Sequence, residues 1–141
     1  MMPEADVARP PTGAPRILVV EDEEPLREAL CGLLQDRGLE VVGQAGYGLT
    51  AVDLARHERP DVVLMDYRMP GIDGIEAIGR MKLDFPLMQA VMFTAYDEDA
   101  LAIEAERAHV YCLLVKGCPP SLVVDMVVRA AAYKRELERK G

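Results

Sequence analysis

Residues 62–71 read VVLMDYRMPG, an apolar run that stops on a carboxylate, Asp66, and then breaks on Pro-Gly. A short continuous apolar run bounded by turn residues predicts a buried strand. Asp66 is therefore expected at the rim of a sheet, where that strand ends. A second apolar run, residues 17–20, stops in the same way on Glu21 and Asp22. Two strands that end in acid predict a cluster of three carboxylates.

Three carboxylates at one rim repel each other unless a cation joins them. Mg²⁺ is the natural cation because it prefers oxygen ligands and keeps coordination positions open for a phosphate. The acidic strand ends therefore predict a magnesium site.

Strand-like and helix-like patterns alternate along the rest of the chain. Apolar runs predict strands at residues 17–20, 40–45, 62–65, 90–93 and 110–115. Helical spacing predicts helices over residues 26–34, 50–58, around 75–81, 97–108 and 121–140, the last one capped by Ser121. This alternation predicts an α/β fold: a (βα)₅, flavodoxin-like, doubly wound parallel sheet with strand order 2-1-3-4-5. Ligands of such sheets bind at the carboxyl ends of strands 1 and 3, where the acidic residues lie.

Composition limits the class of protein. The 141 residues suit one domain, and a net charge of −8 argues against nucleic-acid binding within these residues. No apolar stretch is long enough to span a membrane, and the three cysteines lack metal-ligand spacing, which favours reduced thiols and a cytoplasmic protein. We predict a disordered tail at residues 1–15, a folded domain at residues 16–131 and an extension of the last helix at residues 132–141.

Two further strand ends carry polar residues that suit phosphoryl transfer. The strand at residues 90–93 leads to Thr94, and the strand at residues 110–115 leads to Lys116. Asp66 can act as a nucleophile toward phosphorus, a lysine supplies a mobile cation, and a threonine hydroxyl can bond a phosphoryl oxygen.

Taken together, these motifs resemble the receiver domain of bacterial two-component response regulators, over about residues 16–129. They are ILVVEDE at residues 17–23, DYRMPGIDG at residues 66–74, FTA at residues 93–95 and VKG at residues 115–117. The resemblance implies a phosphoacceptor at Asp66, with Thr94 and Lys116 binding the phosphoryl group. It also implies Mg²⁺ held by Asp22 directly, by Glu21 mainly through water, by Asp66, and by the backbone carbonyl of Arg68.

The resemblance further implies a signalling switch whose only catalysis is its own phosphorylation and dephosphorylation. The donor would be a sensor histidine kinase or phosphotransfer protein, docking near Leu26, Arg27 and the loop at residues 118–119. Bulky side chains at Arg68 and Tyr96 are expected to crowd the approach of water and slow dephosphorylation. Family members often carry an aromatic switch residue at the position of Leu113, and strand alternation predicts that Tyr111 shares its face.

Three alternatives stay open for the extension at residues 132–140: a solvated overhang, a seam for a homodimer, or the start of a signalling helix. Two rival functions also stay open. One is a phosphorylation-independent, receiver-like scaffold. The other is a flavodoxin-type electron carrier, although the acidic segment after strand 1 would repel a bare phosphate.

Overall fold

The computed structural model describes residues 13–95 and 99–141, so the predicted tail residues 1–12 and residues 96–98 lie outside it. In the described ranges five strands alternate with five helices. The strands are β1 (Arg16–Val20), β2 (Glu40–Ala45), β3 (Val62–Met65), β4 (Gln89–Thr94) and β5 (Cys112–Val115). The helices are α1 (Glu24–Asp36), α2 (Gly48–Glu58), α3 (Gly74–Asp84), α4 (Asp99–Arg107) and α5 (Pro120–Lys140).

The strands form one parallel sheet in the order β2-β1-β3-β4-β5, which confirms the predicted topology. Val20 pairs with Met65, and Thr94 pairs with Val115. Because the strands are parallel and in this register, the residues that follow β1, β3, β4 and β5 meet at the same edge of the sheet.

Helices cover both faces of the sheet. Alternate strand residues such as Ile17 and Val19 pack against α1 and α5. Their neighbours Leu18 and Val20 pack against α2, α3 and α4. The four residues of β3 are all buried, as a central parallel strand requires.

Several predicted boundaries were wrong by a few residues. β5 begins at Cys112 instead of residue 110, because the amide of Val110 donates to the carbonyl of Ala105 and closes the end of α4. α5 begins at Pro120, and Pro119 takes the capping position that was predicted for Ser121. Proline suits the first turn of a helix because it has no amide hydrogen to leave unpaired there.

The last helix continues unbroken to Lys140, so residues 132–140 of the predicted extension are helical and Gly141 follows the helix. Lys134 lies within it but is buried, and its Nζ pairs with Asp61 Oδ1 at 3.0 Å and with Glu138 Oε2 at 3.1 Å. Asp61 precedes β3, so this ion pair ties the extension to the amino-terminal edge of the sheet. None of the helices in the described ranges combines the length and apolar character that a membrane crossing needs.

Candidate functional site

Asp66 lies directly after β3 and is 5% exposed. Its amide donates to the carbonyl of Val20 at 3.0 Å, which holds it beside the end of β1. Its Oδ1 accepts from the amide of Tyr67 at 2.8 Å, and its Oδ2 accepts from Lys116 Nζ at 3.2 Å. These three contacts fix both the backbone and the carboxylate of Asp66 at the rim of the sheet.

The start of α3 closes tightly over the same segment. The amide of Gly74 donates to the carbonyl of Tyr67 at 2.6 Å. A Cβ at position 74 would lie 2.1 Å from the carbonyl oxygen of Asp66 and 2.9 Å from Met65 Cγ. Only glycine permits this approach. Gly74 belongs to the DYRMPGIDG motif at residues 66–74, but the sequence alone predicted no role for it.

Glu21 and Asp22 follow β1 and differ in exposure. Glu21 is 1% exposed, whereas Asp22 is exposed to solvent. Each of Glu21, Asp22 and Asp66 offers a carboxylate oxygen within 4.8 Å of the others. The predicted cluster of three carboxylates is therefore present in the structure.

This donor set fits a magnesium ion. Oxygens on opposite sides of one Mg²⁺ are about 4.2 Å apart, so carboxylate oxygens that lie within 4.8 Å of one another are close enough for one ion to join them. All three donors are carboxylates, the ligand type that hard cations prefer.

Lys116 brings its own cation into the cluster. It follows β5, where its amide donates to the carbonyl of Thr94 at 2.7 Å. Its Nζ lies 2.9 Å from Glu21 Oε1 and 3.2 Å from Asp66 Oδ2. Burial acts to lower the pKa of Lys116, but the carboxylates of Glu21 and Asp66 outweigh it and raise the pKa above its usual value. The lysine thus stays charged and partly neutralises the acidic rim.

The remaining predicted residues lie around this centre. Thr94 is fully buried at the end of β4, one strand away from Asp66. Arg68 is exposed, and its guanidinium lies over the Tyr67 ring at 5.7 Å. Tyr96, predicted to crowd the site, lies outside the described residues.

A surface depression of about 420 Å³ is lined by Asp22, Tyr67, Arg68, Met69, Pro70 and Asp73.

Tyr111 and Leu113 do not share a face, so that prediction was wrong. Leu113 packs with the cluster beneath α2, α3 and α4, whereas Tyr111 packs with the cluster beneath α1 and α5. The alternation fails because β5 begins only at Cys112, which leaves Tyr111 outside the regular strand. Its ring lies 5.7 Å from the ring of Tyr133 on α5.

Metal-free protein is expected to lose stability as pH rises through the range in which Glu21 titrates. Burial raises the pKa of Glu21 from 4.5 to about 7, against the opposing contacts of Lys116 and the Glu23 amide. Between these values the folded protein keeps a proton that the unfolded chain has lost. The stabilisation is complete below pH 4.5 and is lost as pH rises to about 7. Urea unfolding in EDTA should show this slope, and Glu21→Gln should reduce it; parallel curves for the two proteins would contradict the assignment.

Comparison with known proteins places these residues in a family context. The family profile described as "Response regulator receiver domain" matches residues 17–128. Response regulator GacA of Pseudomonas aeruginosa is 36% identical over 121 residues, which cover 85% of this chain and 56% of that protein. Transcriptional regulatory protein PdtaR of Mycobacterium tuberculosis is 35% identical over 122 residues, covering 86% of this chain and 59% of that protein. The chain thus spans little more than half the length of these curated relatives.

A solved structure is similar over the same region. The two-component response regulator of the LuxR family from an Aurantimonas species superposes with a TM-score of 0.81 at 30% identity. The similarity covers 84% of this chain and 86% of that one.

Proposed function

Because the chain belongs to the response regulator receiver domain family, we propose that it accepts a phosphoryl group on Asp66 from a histidine kinase or phosphotransfer protein. The observation that carries this proposal is the convergence of Asp66, two further carboxylates and Lys116 at the carboxyl edge of the sheet. Receiver domains are signalling modules, so the product of the reaction is the modified protein itself. Family membership also removes the flavodoxin-type carrier from consideration.

The chemistry is a displacement at phosphorus. A carboxylate oxygen of Asp66 forms a bond to phosphorus while the bond from phosphorus to the donor's imidazole nitrogen breaks. The electron pair stays with that nitrogen, which takes up a proton. Asp66 is held for this step by its contacts to the Val20 carbonyl and the Tyr67 amide.

Lys116 and Thr94 serve the phosphoryl group after transfer. Lys116 already lies 3.2 Å from Asp66 Oδ2, so its ammonium can follow the new negative charge and release Glu21. Thr94 supplies a hydroxyl from the neighbouring strand end, and its carbonyl is bonded to the Lys116 amide. This hydrogen bond joins the ends of β4 and β5. A shift of Lys116 that follows a change of charge on Asp66 would therefore also pull on β5.

Glu21, Asp22, Asp66 and the Arg68 carbonyl would hold Mg²⁺ in this scheme. When bound, the metal offsets charge on the phosphoryl oxygens. Without that neutralisation, the three carboxylates would repel the incoming phosphoryl group and oppose the attack of Asp66 on phosphorus.

The test of the function is phosphoryl uptake from acetyl phosphate, measured by intact mass. One phosphoryl mass is expected with Mg²⁺ and none when EDTA replaces it. Absence of any adduct under both conditions, in protein shown to bind Mg²⁺, would favour the rival reading of a phosphorylation-independent scaffold.

Asp22 is expected to contribute more to Mg²⁺ affinity than Glu21. Mg²⁺ keeps several of its waters and takes few protein carboxylates directly. Asp22 is exposed to solvent at the rim of the sheet, whereas Glu21 is buried against Lys116. Calorimetric titration of Asp22→Ala and Glu21→Ala should show the larger loss for Asp22→Ala. An equal loss, or a larger one for Glu21→Ala, would contradict this ranking.

Self-association through α5 is also part of this proposal. Tyr133 is 44% exposed and Leu137 lies one turn beyond it on the same face. Tyr133→Gln is expected to weaken any dimer about tenfold, since loss of an interface aromatic commonly costs more than about 1.4 kcal/mol. Sedimentation equilibrium measures this, with the exposed neighbour Ala132→Gln as the control.

A point variant is preferable to shortening the chain before Lys134. Such a truncation would leave Asp61 buried without its lysine, at a cost of about 3–5 kcal/mol. A chain that is monomeric with and without phosphorylation would show that the exposed face of α5 is not a dimer seam.

A further inference from the structure

Arg27 occupies an unexpected place for a cation. It lies in the first turn of α1, where the helix dipole disfavours positive charge by about 0.3–1 kcal/mol. The family resemblance places it on a docking surface. In the structure it is half-buried, and its Nη1 donates to the carbonyl oxygen of Glu21 at 2.8 Å. The side chain therefore turns inward toward the acidic rim.

The carbonyl that Arg27 holds belongs to the peptide unit joining Glu21 to Asp22. Two more hydrogen bonds restrain the same turn: the Glu21 amide donates to the Ala45 carbonyl at 2.9 Å, and the Glu23 amide donates to Glu21 Oε2 at 3.0 Å. The backbone on both sides of Asp22 is thus fixed. Since the Asp22 side chain is itself exposed, its direction is set chiefly by this backbone.

Gly46 leaves the space that this arrangement needs. A Cβ at position 46 would lie 3.3 Å from Arg27 Nη1, 3.8 Å from Asp22 Cα and 3.9 Å from the Glu21 carbonyl oxygen. The guanidinium, the end of β2 and the acidic turn therefore form one close-packed group. A methyl group at position 46 would press on the arginine without changing any charge.

We propose that Arg27 is a positioning residue that aims the Asp22 carboxylate at the Mg²⁺ site by holding the Glu21–Asp22 peptide. This inference rests on the proposed function and adds a role for α1 within it. Arg27 acts through the backbone and does not touch the metal or the phosphoryl group.

Charge and geometry predict opposite effects on Mg²⁺ affinity, so the sign of the change is decisive. If Arg27 acted only as a nearby positive charge, its removal would relieve repulsion and Mg²⁺ would bind more tightly. If it positions Asp22, its removal loosens the turn and Mg²⁺ binds more weakly.

The experiment is calorimetric titration of Mg²⁺ into the full chain. For Arg27→Gln we expect a loss of roughly tenfold in affinity, the lower end of what removing an outer-shell partner of a metal ligand costs. Arg27→Lys keeps the charge and can donate one hydrogen bond to the Glu21 carbonyl. Its Mg²⁺ affinity should therefore fall between those of the parent and Arg27→Gln. Gly46→Ala should also weaken binding although it alters no charge.

Two controls match these variants. Arg37→Gln removes an exposed arginine at the far end of α1. Gly32→Ala adds a methyl group on α1 that, among the described residues, has only its chain neighbours and its own helix backbone within 4 Å. Both should leave Mg²⁺ affinity unchanged. A second readout needs no metal: in EDTA, the backbone amides of Asp22 and Glu23 should show increased mobility by NMR relaxation in Arg27→Gln.

Unchanged or tighter Mg²⁺ binding by Arg27→Gln, with rigid amides at Asp22 and Glu23, overturns this inference and leaves the proposed function standing. Failure of the parent protein to bind Mg²⁺ overturns both. Weaker binding by Arg27→Gln and Gly46→Ala, with both controls unaffected, supports the positioning role.

Discussion

Replacing Asp66 with Asn is expected to abolish phosphoryl uptake completely. The amide of asparagine is similar in size to the carboxylate but is not a nucleophile toward phosphorus. The one oxygen of asparagine can still accept from the Tyr67 amide, and Lys116 keeps its contact with Glu21 Oε1 at 2.9 Å, so the fold should persist. Intact mass after incubation of Asp66→Asn with acetyl phosphate and Mg²⁺ measures the effect, with circular dichroism to verify folding.

Asp73→Asn is the matched control for that variant. Asp73 lines the surface depression next to Tyr67, and it caps α3 by accepting from the Glu76 amide at 2.8 Å. Asparagine is an equally good cap, so the helix should be unaffected. Full labelling of Asp73→Asn and none of Asp66→Asn is the expected pair of results. Full labelling of Asp66→Asn would remove Asp66 from the role of phosphoacceptor.

Among substitutions that add one methyl group near the site, Gly74→Ala is expected to reduce stability the most. The new Cβ would fall 2.1 Å from the Asp66 carbonyl oxygen, which is backbone and cannot swing aside. Overpacking of this kind typically costs about 1–3 kcal/mol and occasionally more. Relief requires α3 or the Asp66 segment to move, so phosphoryl uptake should fall together with stability. Urea unfolding and the intact-mass assay measure the two effects.

Gly79→Ala makes the same chemical change on the same helix in open space. Apart from its chain neighbours and the adjoining backbone of α3, no atom of residues 13–95 and 99–141 lies within 4 Å of a Cβ at position 79. Alanine is favoured over glycine in a helix by about 1 kcal/mol, so this variant should be slightly more stable and label normally. Equal stability and equal phosphoryl uptake in the two alanine variants would show that the start of α3 can move at a lower cost than its contacts indicate.

The sheet and most of the site could be predicted because both depend on local patterns. Apolar runs that stop on a polar residue placed Asp66, Thr94 and Lys116 at strand ends, and the parallel register then brought those ends together. The site required no knowledge of side-chain packing beyond this.

Features that depend on contacts between distant residues were not predictable in the same way. In the sequence, Lys134 is one of several charged residues on a helix. In the structure it is buried and pairs with Asp61, which lies 73 residues away. Tyr111 was placed on the wrong face because the start of β5 depends on how α4 closes. The inward turn of Arg27 depends on the gap at Gly46, which no periodicity reveals.

The ammonium of Lys116 between Glu21 and Asp66 has a thermodynamic consequence for metal uptake. The carboxylates already have a counterion, so loading Mg²⁺ would be an exchange reaction and not a simple addition. Protons at Glu21, the tethered ammonium and the divalent ion would compete for one set of oxygens. The free energy of loading is therefore a difference between two occupied states. In that exchange Lys116 would give up Glu21 to the ion, and its tethered ammonium would stay within reach of the negative charge that a phosphoryl group would bring to Asp66.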